Sequence, residues 1–198
     1  MSLSRNISVG VLALQGDYEA HKRQLESLGV KAAEVRLAGD LKNLDALIIP
    51  GGESTTMDKL IDRFDLREPL ISFCRSKPVF GTCAGMILLS KKIENNQSGV
   101  EPFGLIDIDV LRNGYGRQVF SFEEDINLNL GNGKSQMAAT FIRAPKITRI
   151  GRGVKVLGEF KNDPVLISQN KVLASSFHAE LGQDTSLLSY FLKTFASG

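Results

Sequence analysis

The sequence predicts an α/β fold, a three-layer sandwich with a mostly parallel central sheet and added antiparallel strands in the C-terminal half. Three observations carry this expectation. The runs Ile7–Leu14 and Asp45–Ile49 are β-branched and almost continuously apolar, as strands covered on both faces are. Segments with helical spacing separate such runs at the pace of right-handed βαβ units. Beyond the polar, turn-rich stretch Asn95–Pro102 the pattern changes to short β-like runs.

Taken in order, Ile7–Leu14 is the first strand and breaks at Gln15-Gly16-Asp17. Asp17 caps the next helix, in which His21, Leu25 and Leu28 share a stripe before Gly29 ends it. That stripe gives His21 a packing or surface role. Val30–Leu37 reads as a second strand and Asp45–Ile49 as a third, broken by Pro50-Gly51-Gly52-Glu53-Ser54. Thr55, with Asp58 three residues on, has the spacing of a helix start. A further helix opens at Glu68-Pro69 and ends near Ser76-Lys77-Pro78. The strand Val79-Phe80 then runs into Gly81-Thr82-Cys83-Ala84-Gly85 and the apolar run Met86–Ser90. Later strands are read at Leu105–Leu111, Met137–Ile142, Val154–Phe160, Val165–Ser168 and Val172–Phe177. Arg112–Gln118 is a loop near a binding surface, and Thr185 caps a final helix carrying Leu187, Leu188, Phe191, Leu192 and Phe195.

The 198 residues make one well-filled domain, 1–198. A net charge of +2 does not argue for a nucleic acid or membrane partner. No apolar run approaches the ~20 residues that span a bilayer, and the start lacks a signal-peptide pattern. With two cysteines and two histidines, neither a structural zinc site nor a disulfide framework is expected, and a reduced cytoplasmic setting fits best.

Strand, tight turn and helix with a cysteine at the corner is the logic of a nucleophile elbow. Small neighbours permit the sharp turn, and the helix start favours a thiolate at Cys83. A buried structural cysteine is the alternative. A cysteine nucleophile needs a base and a group to orient it. His178, two residues before Glu180, offers both, because residues two apart on an extended segment share a side. A surface turn after a strand is the other reading of that pair. Gly51-Gly52, just past a buried strand, can turn backbone N–H groups towards a ligand and, with the N–H of Ala84, hold an oxyanion. Equally, it can be a plain turn; the Gly-x-x-x-x-Gly-Lys spacing of a phosphate-binding loop is missing.

Over essentially its whole length the chain resembles class I, triad-type glutamine amidotransferases, and within them the glutaminase subunits of two-protein pyridoxal 5′-phosphate synthases. The matching stretches are Gly10–Gly16, Pro50–Thr56, Gly81–Gly85, Arg112-Asn113 with Gly116-Arg117-Gln118, Phe141–Pro145 and Ser176–Leu181. The resemblance implies that Cys83 is the nucleophile, His178 its base and Glu180 the residue that orients His178. Gly52 and Ala84 would supply the oxyanion N–H groups. Gly52, Glu53, Ser54, Arg112, Ile142 and Arg143 match glutamine-contacting positions, and Gln15 matches a position near the site and the partner interface. It further implies hydrolysis of L-glutamine through a thioester without cofactor or metal. Ammonia would pass to a TIM-barrel synthase subunit, whose docking stimulates an otherwise weak glutaminase. The family usually has proline between the histidine and the glutamate, whereas this chain has Ala179. Two other readings remain at this point: a cysteine amidase acting on another small amide, and a non-catalytic regulatory subunit.

Overall fold

The computed structural model describes residues 7–115, 121–131 and 133–196. Five strands, β1 (Ser8–Leu12), β2 (Lys31–Val35), β3 (Ala46–Ile49), β4 (Val79–Thr82) and β12 (Val172–Ser175), run parallel in the order β2-β1-β3-β4-β12. The sheet continues antiparallel through β11 (Asp163–Gln169), β10 (Lys155–Phe160), β7 (Ser121–Asn129) and β8 (Lys134–Ile142). A second sheet pairs β5 (Ser90–Glu94), β6 (Ile106–Leu111) and β9 (Lys146–Ile150) in the order β5-β6-β9.

The run Ala46-Leu47-Ile48-Ile49 shows why the parallel strands lack alternation. Ala46 and Ile48 enter a core shared with α1 (Tyr18–Ser27) and α5 (Ser186–Phe191). Leu47 and Ile49 enter the opposite core, shared with α2 (Ser54–Arg63), α3 (Arg67–Ser76) and α4 (Ala84–Leu89). Both faces are covered, so both side-chain sets must be apolar. In β6, by contrast, Ile106, Ile108 and Val110 are buried while the residues between them are partly exposed, as its alternation predicted.

The antiparallel strands curl until the outer strand returns to the middle of the molecule. Thr140 of β8 bridges His178, just past β12, and the His178 N–H donates to the Thr140 carbonyl at 2.8 Å. The inside of this curl is filled by aromatic rings. Phe122 stacks on Phe141 with centroids 4.6 Å apart, and Phe141 also meets Phe160 at 5.4 Å and Phe177 at 5.8 Å. That packing fixes the end of β8, and with it Ile142 and Arg143, beside the end of β12.

Several local expectations need correction. The second strand stops at Val35, because the Asp40 carboxylate takes the N–H groups of Arg36 and Leu37 and closes a 3₁₀ turn over Ala38–Leu41. Glu53, not Thr55, caps α2: its carboxylate accepts from the N–H groups of Thr55 and Thr56 and from the Thr56 hydroxyl. Asp58 instead pairs with Arg67 at 2.7 Å. The helix after Cys83 ends at Leu89, and Ser90 opens β5. Thr185 stands at the start of α5, but it is Asp184 whose carboxylate receives the Ser186 N–H. Asp17 caps α1 as expected, accepting from the Ala20 N–H at 3.3 Å. Gly116, Arg117 and Gln118 lie outside the described residues.

Candidate active site

Between β4 and α4 stands a single residue, Cys83, with φ +48° and ψ −101°. Such a conformation costs a non-glycine residue about 1–3 kcal/mol and persists only when its surroundings impose it. Here the Cys83 N–H donates to the Ser175 carbonyl at 2.8 Å, and the Cys83 carbonyl accepts from Ile87 at 3.2 Å. The flanking glycines have a packing reason. A Cβ on Gly81 would come within 2.5 Å of Leu89 Cδ1 and 2.7 Å of the Gly85 carbonyl carbon, and one on Gly85 would strike the Ile49 carbonyl oxygen. The Gly-x-Cys-x-Gly pattern is therefore what lets α4 turn back against β3 and β4.

His178 reaches the same place through sheet register. In the parallel pair β4 and β12, Ser175 stands opposite Thr82, so the residues after each strand emerge at one edge. The Ser175 hydroxyl donates to the Phe177 carbonyl at 2.9 Å and bends the chain there. The strand expected to reach Phe177 thus ends at Ser175. His178 itself is extended, with φ −92° and ψ 92°, and a 3₁₀ turn follows over Ala179–Leu181. Even so, the Glu180 carboxylate comes under the ring: its Oε1 lies 2.7 Å from His178 Nδ1, with both side chains buried. Gly51 packs so closely that a Cβ there would strike His178 Cε1 and lie 2.7 Å from Nδ1.

One cleft of about 170 Å³ is lined by Cys83 and His178 together with Gln15, Gly52, Glu53, Ser54, Arg112, Ile142 and Arg143. Ile87 and Asn113, to which the sequence assigns no role at the site, line it too. Glu180 stands behind His178, and buried Ala84 is the first residue of α4, where N–H groups lack partners within the helix. The residues come from six separate connections, those after β1, β3, β4, β6, β8 and β12. Gln15 follows β1, and its Oε1 accepts the Glu53 N–H at 2.9 Å, tying two loops together. Gly52 has φ +151°, and a Cβ on it would sit 2.5 Å from that same Oε1. Arg112, just after β6, meets Glu53 Oε1 at 3.1 Å. Arg143, after β8, has φ +45°, a second strained non-glycine residue at the cleft. The Cys83 Sγ lies 3.8 Å from the Ile142 carbonyl oxygen.

The electrostatics follow from these contacts. Burial works against a charged His178 ring, but hydrogen bonds to the Cys83 sulfur and to Glu180 outweigh it and lift its pKa to about 10. Burial likewise opposes the Glu180 carboxylate, and the His178 hydrogen bond overcomes it, aided by the charge of His178, so its pKa falls below the usual range. Glu53 is partly buried, yet its hydrogen bonds from Thr56 and Thr55 hold it down at about 2. Cys74, a plain core cysteine, is pushed by burial up to about 12. Among the described residues no group of three or more His, Cys, Asp or Glu is placed to share a metal ion, and no helix is long and apolar enough to cross a membrane.

His21 is the residue the sequence reading placed least well. It is 1% exposed, so a packing role holds: its ring meets Phe80 edge-on, but its Nε2 faces polar atoms. Its Nε2 is 3.2 Å from the Thr82 hydroxyl and 3.4 Å from Glu180 Oε2. The helical stripe showed that His21 faces inward; nothing local shows what it meets there.

The fold is that of glutamine amidotransferases. A crystal structure described as a glutamine amidotransferase superposes with a TM-score of 0.87 at 47% identity, covering 93% of this chain and 97% of that one. The chain belongs to the SNO glutamine amidotransferase family, whose model matches residues 11–197. Among curated relatives, the pyridoxal 5′-phosphate synthase subunit PdxT of Francisella philomiragia is 48% identical over 187 residues, 94% of this chain and 98% of the relative. The subunit of the same name from Francisella tularensis is 47% identical over 184 residues, 93% of this chain and 97% of the relative. PurLQS of Thermotoga maritima has a TM-score of 0.70 at 14% identity, covering 96% of this chain and 99% of that one, and shares the fold.

Proposed function

We propose that this chain is the glutaminase subunit of a pyridoxal 5′-phosphate synthase. It hydrolyses L-glutamine to L-glutamate and ammonia as a single domain and hands the ammonia to a separate TIM-barrel synthase subunit in a cytoplasmic hetero-oligomer. The observation that carries the reading is the convergence of Cys83 and His178 on one small cleft, with Glu180 buried behind the imidazole. Identity of 47–48% over nearly the whole of relatives named as pyridoxal 5′-phosphate synthase subunits supports the partner.

The chemistry follows from the geometry. The Cys83 thiolate attacks the side-chain amide carbon of glutamine, and the carbonyl electrons move onto oxygen. Backbone N–H groups of Gly52 and Ala84 receive that oxyanion; losing one such donor costs other enzymes about 10²- to 10³-fold in rate. His178, held as a cation by Glu180, gives its proton to the departing nitrogen, and ammonia leaves a γ-glutamyl thioester. Neutral His178 then takes a proton from water, the hydroxide attacks the thioester carbon, and the sulfur leaves as glutamate forms. Glutamine is a zwitterion at its other end. Glu53, ionised down to about pH 2, and the Arg112 and Arg143 guanidiniums offer both signs of charge to its ammonium and carboxylate. Ser54 and the Ile142 backbone complete that wall, and Gln15 holds the loop that presents Glu53 towards the partner face.

The deciding experiment measures glutamate release with the synthase subunit present. Cys83→Ala should abolish it while leaving docking intact, and a glutamine-like diazoketone should label Cys83 in competition with glutamine. An active alanine variant would remove the assigned nucleophile. Labelling that glutamine does not block would point to an amidase for another substrate.

A further inference from the structure

Helix α1 takes no part in the chemistry above, yet it grips the segment that carries the histidine and its carboxylate. Gln24 Nε2 donates to the carbonyls of Ala179 and Gly182, each at 3.0 Å. One turn earlier on the same face, His21 Nε2 stands 3.2 Å from Thr82 Oγ1 and 3.4 Å from Glu180 Oε2. Glu180 Oε1 is occupied by His178, whereas Oε2 is buried without a hydrogen bond of good geometry. A buried charged acceptor left unsatisfied is costly, so a nearby donor matters. The polar hydrogen placed to serve Oε2 is the one on His21 Nε2, and 3.4 Å is a few tenths of an ångström beyond an ordinary N–H···O distance.

We infer that His21 is a positioning residue for the hydrolytic site: its neutral ring carries the proton on Nε2 and shares it between Thr82 Oγ1 and Glu180 Oε2, fixing the carboxylate that orients His178. The inference rests on the Cys83–His178–Glu180 reading and extends it by one residue. Glu180 would then stand between two imidazoles, each holding one oxygen. Burial keeps His21 below the usual imidazole range; Glu180 and Asp17 pull upward and His178 pulls down, and burial wins. A neutral ring has one N–H to give, and the two acceptors beside Nε2 decide which nitrogen carries it. Donation matters most in the half-reaction where His178 is neutral, because Oε1 then faces a weaker donor.

The chain has two histidines, so imidazole nitrogen resonances assign simply. In the unmodified protein His21 should be neutral with Nε2 protonated between pH 7 and 8. A cationic ring, or a proton on Nδ1, overturns the inference without any variant. For the kinetic test, His21→Leu, His21→Gln, Gln24→Leu and Glu180→Gln are assayed for glutamate release with the synthase subunit present. His21→Leu should lower kcat roughly 10- to 100-fold, as small misplacements of reacting groups do, with KM within twofold. It should also shift the alkaline limb of the pH profile upward, since Glu180 keeps more of its charge for His178. His21→Gln, which can still donate to Oε2, should recover most of kcat. Gln24→Leu loosens the turn but should leave the pH limb in place. Wild-type kcat and pH limb in His21→Leu, or no recovery in His21→Gln, overturns the role of His21. Full activity in Glu180→Gln would instead remove the underlying triad reading.

Discussion

His178 Nδ1 and Glu180 Oε1 are 2.7 Å apart with both side chains buried, although a 3₁₀ turn rather than a straight strand separates them. The pair is short-range in sequence, but its purpose is set by what lies on the other side of the ring. With Cys83 there, the imidazole is flanked by two groups that favour its charged form, and both raise its pKa.

Glu180→Gln tests that linkage. The variant keeps the shape and removes the charge, so His178 should titrate lower and the alkaline limb of glutaminase activity should move to lower pH. Turnover should fall about 10²- to 10⁴-fold, the range spanned when a histidine loses its orienting carboxylate or its acid–base role. Stability follows the same sign. His178 is raised above its ordinary 6.5 to about 10, so its contribution is complete below pH 6.5 and disappears as pH rises through 10. The difference in melting temperature between wild type and variant should shrink across that interval. A difference independent of pH would contradict it.

Gly51→Ala isolates geometry from chemistry. The added methyl would strike the His178 ring, and nothing in the reacting set changes identity. A drop in kcat of roughly 10²-fold is expected from an ångström-scale displacement, with the fold intact by circular dichroism. Undiminished kcat would mean that the ring has slack which this packing denies it.

Glu53→Ala removes one carboxylate with two duties. It caps α2 through Thr55 and Thr56, and it meets Arg112 across the cleft. Losing a cap costs about 0.5–2 kcal/mol, and the loss of cleft charge should appear in KM more than in kcat. Because hydrogen bonds hold Glu53 at about 2, the wild-type cap is fully effective above pH 4.5 and is lost only as pH falls towards 2. The melting difference between the two proteins should therefore persist at pH 4.5 and vanish near pH 2.

Ala179→Pro should be tolerated and mildly stabilising. His178 already has the extended backbone that a following proline requires, and Ala179 opens a 3₁₀ turn, where a proline φ fits. The Ala179 carbonyl, which accepts from Gln24, is untouched. A gain of about 0.4–1 kcal/mol from the restricted unfolded chain is expected in chemical denaturation, with glutaminase activity retained. Marked destabilisation would show that the buried space beside Ala179 has no room for the ring.

Elements covered on both faces were legible because burial writes itself into composition. β1, β3, β4 and β12 are almost wholly buried and, apart from Ser8, Thr82 and Ser175, apolar, and their expected bounds lie close to the true ones. β5, β7 and β9 were not read as strands. Ser121–Asn129 is mostly exposed and carries Glu123, Glu124 and Asp125, so neither hydropathy nor periodicity marks it. It is a strand because all nine of its residues pair with β8, a partner that local sequence does not announce. Lys146–Ile150 is half exposed and held by β6 in the same way.

The candidate site divides along the same line. Sequence by itself determined the parallel α/β core, the cysteine at a glycine-flanked corner and the histidine two residues before a glutamate, because those depend on neighbouring residues and local backbone freedom. Only the tertiary structure decided that Cys83 and His178 share a cleft, that β8 curls back to deliver Ile142 and Arg143, and that His21 lies against Glu180. Those are meetings between distant segments, set by strand register and by which faces bury together, and no short stretch of chain encodes them alone.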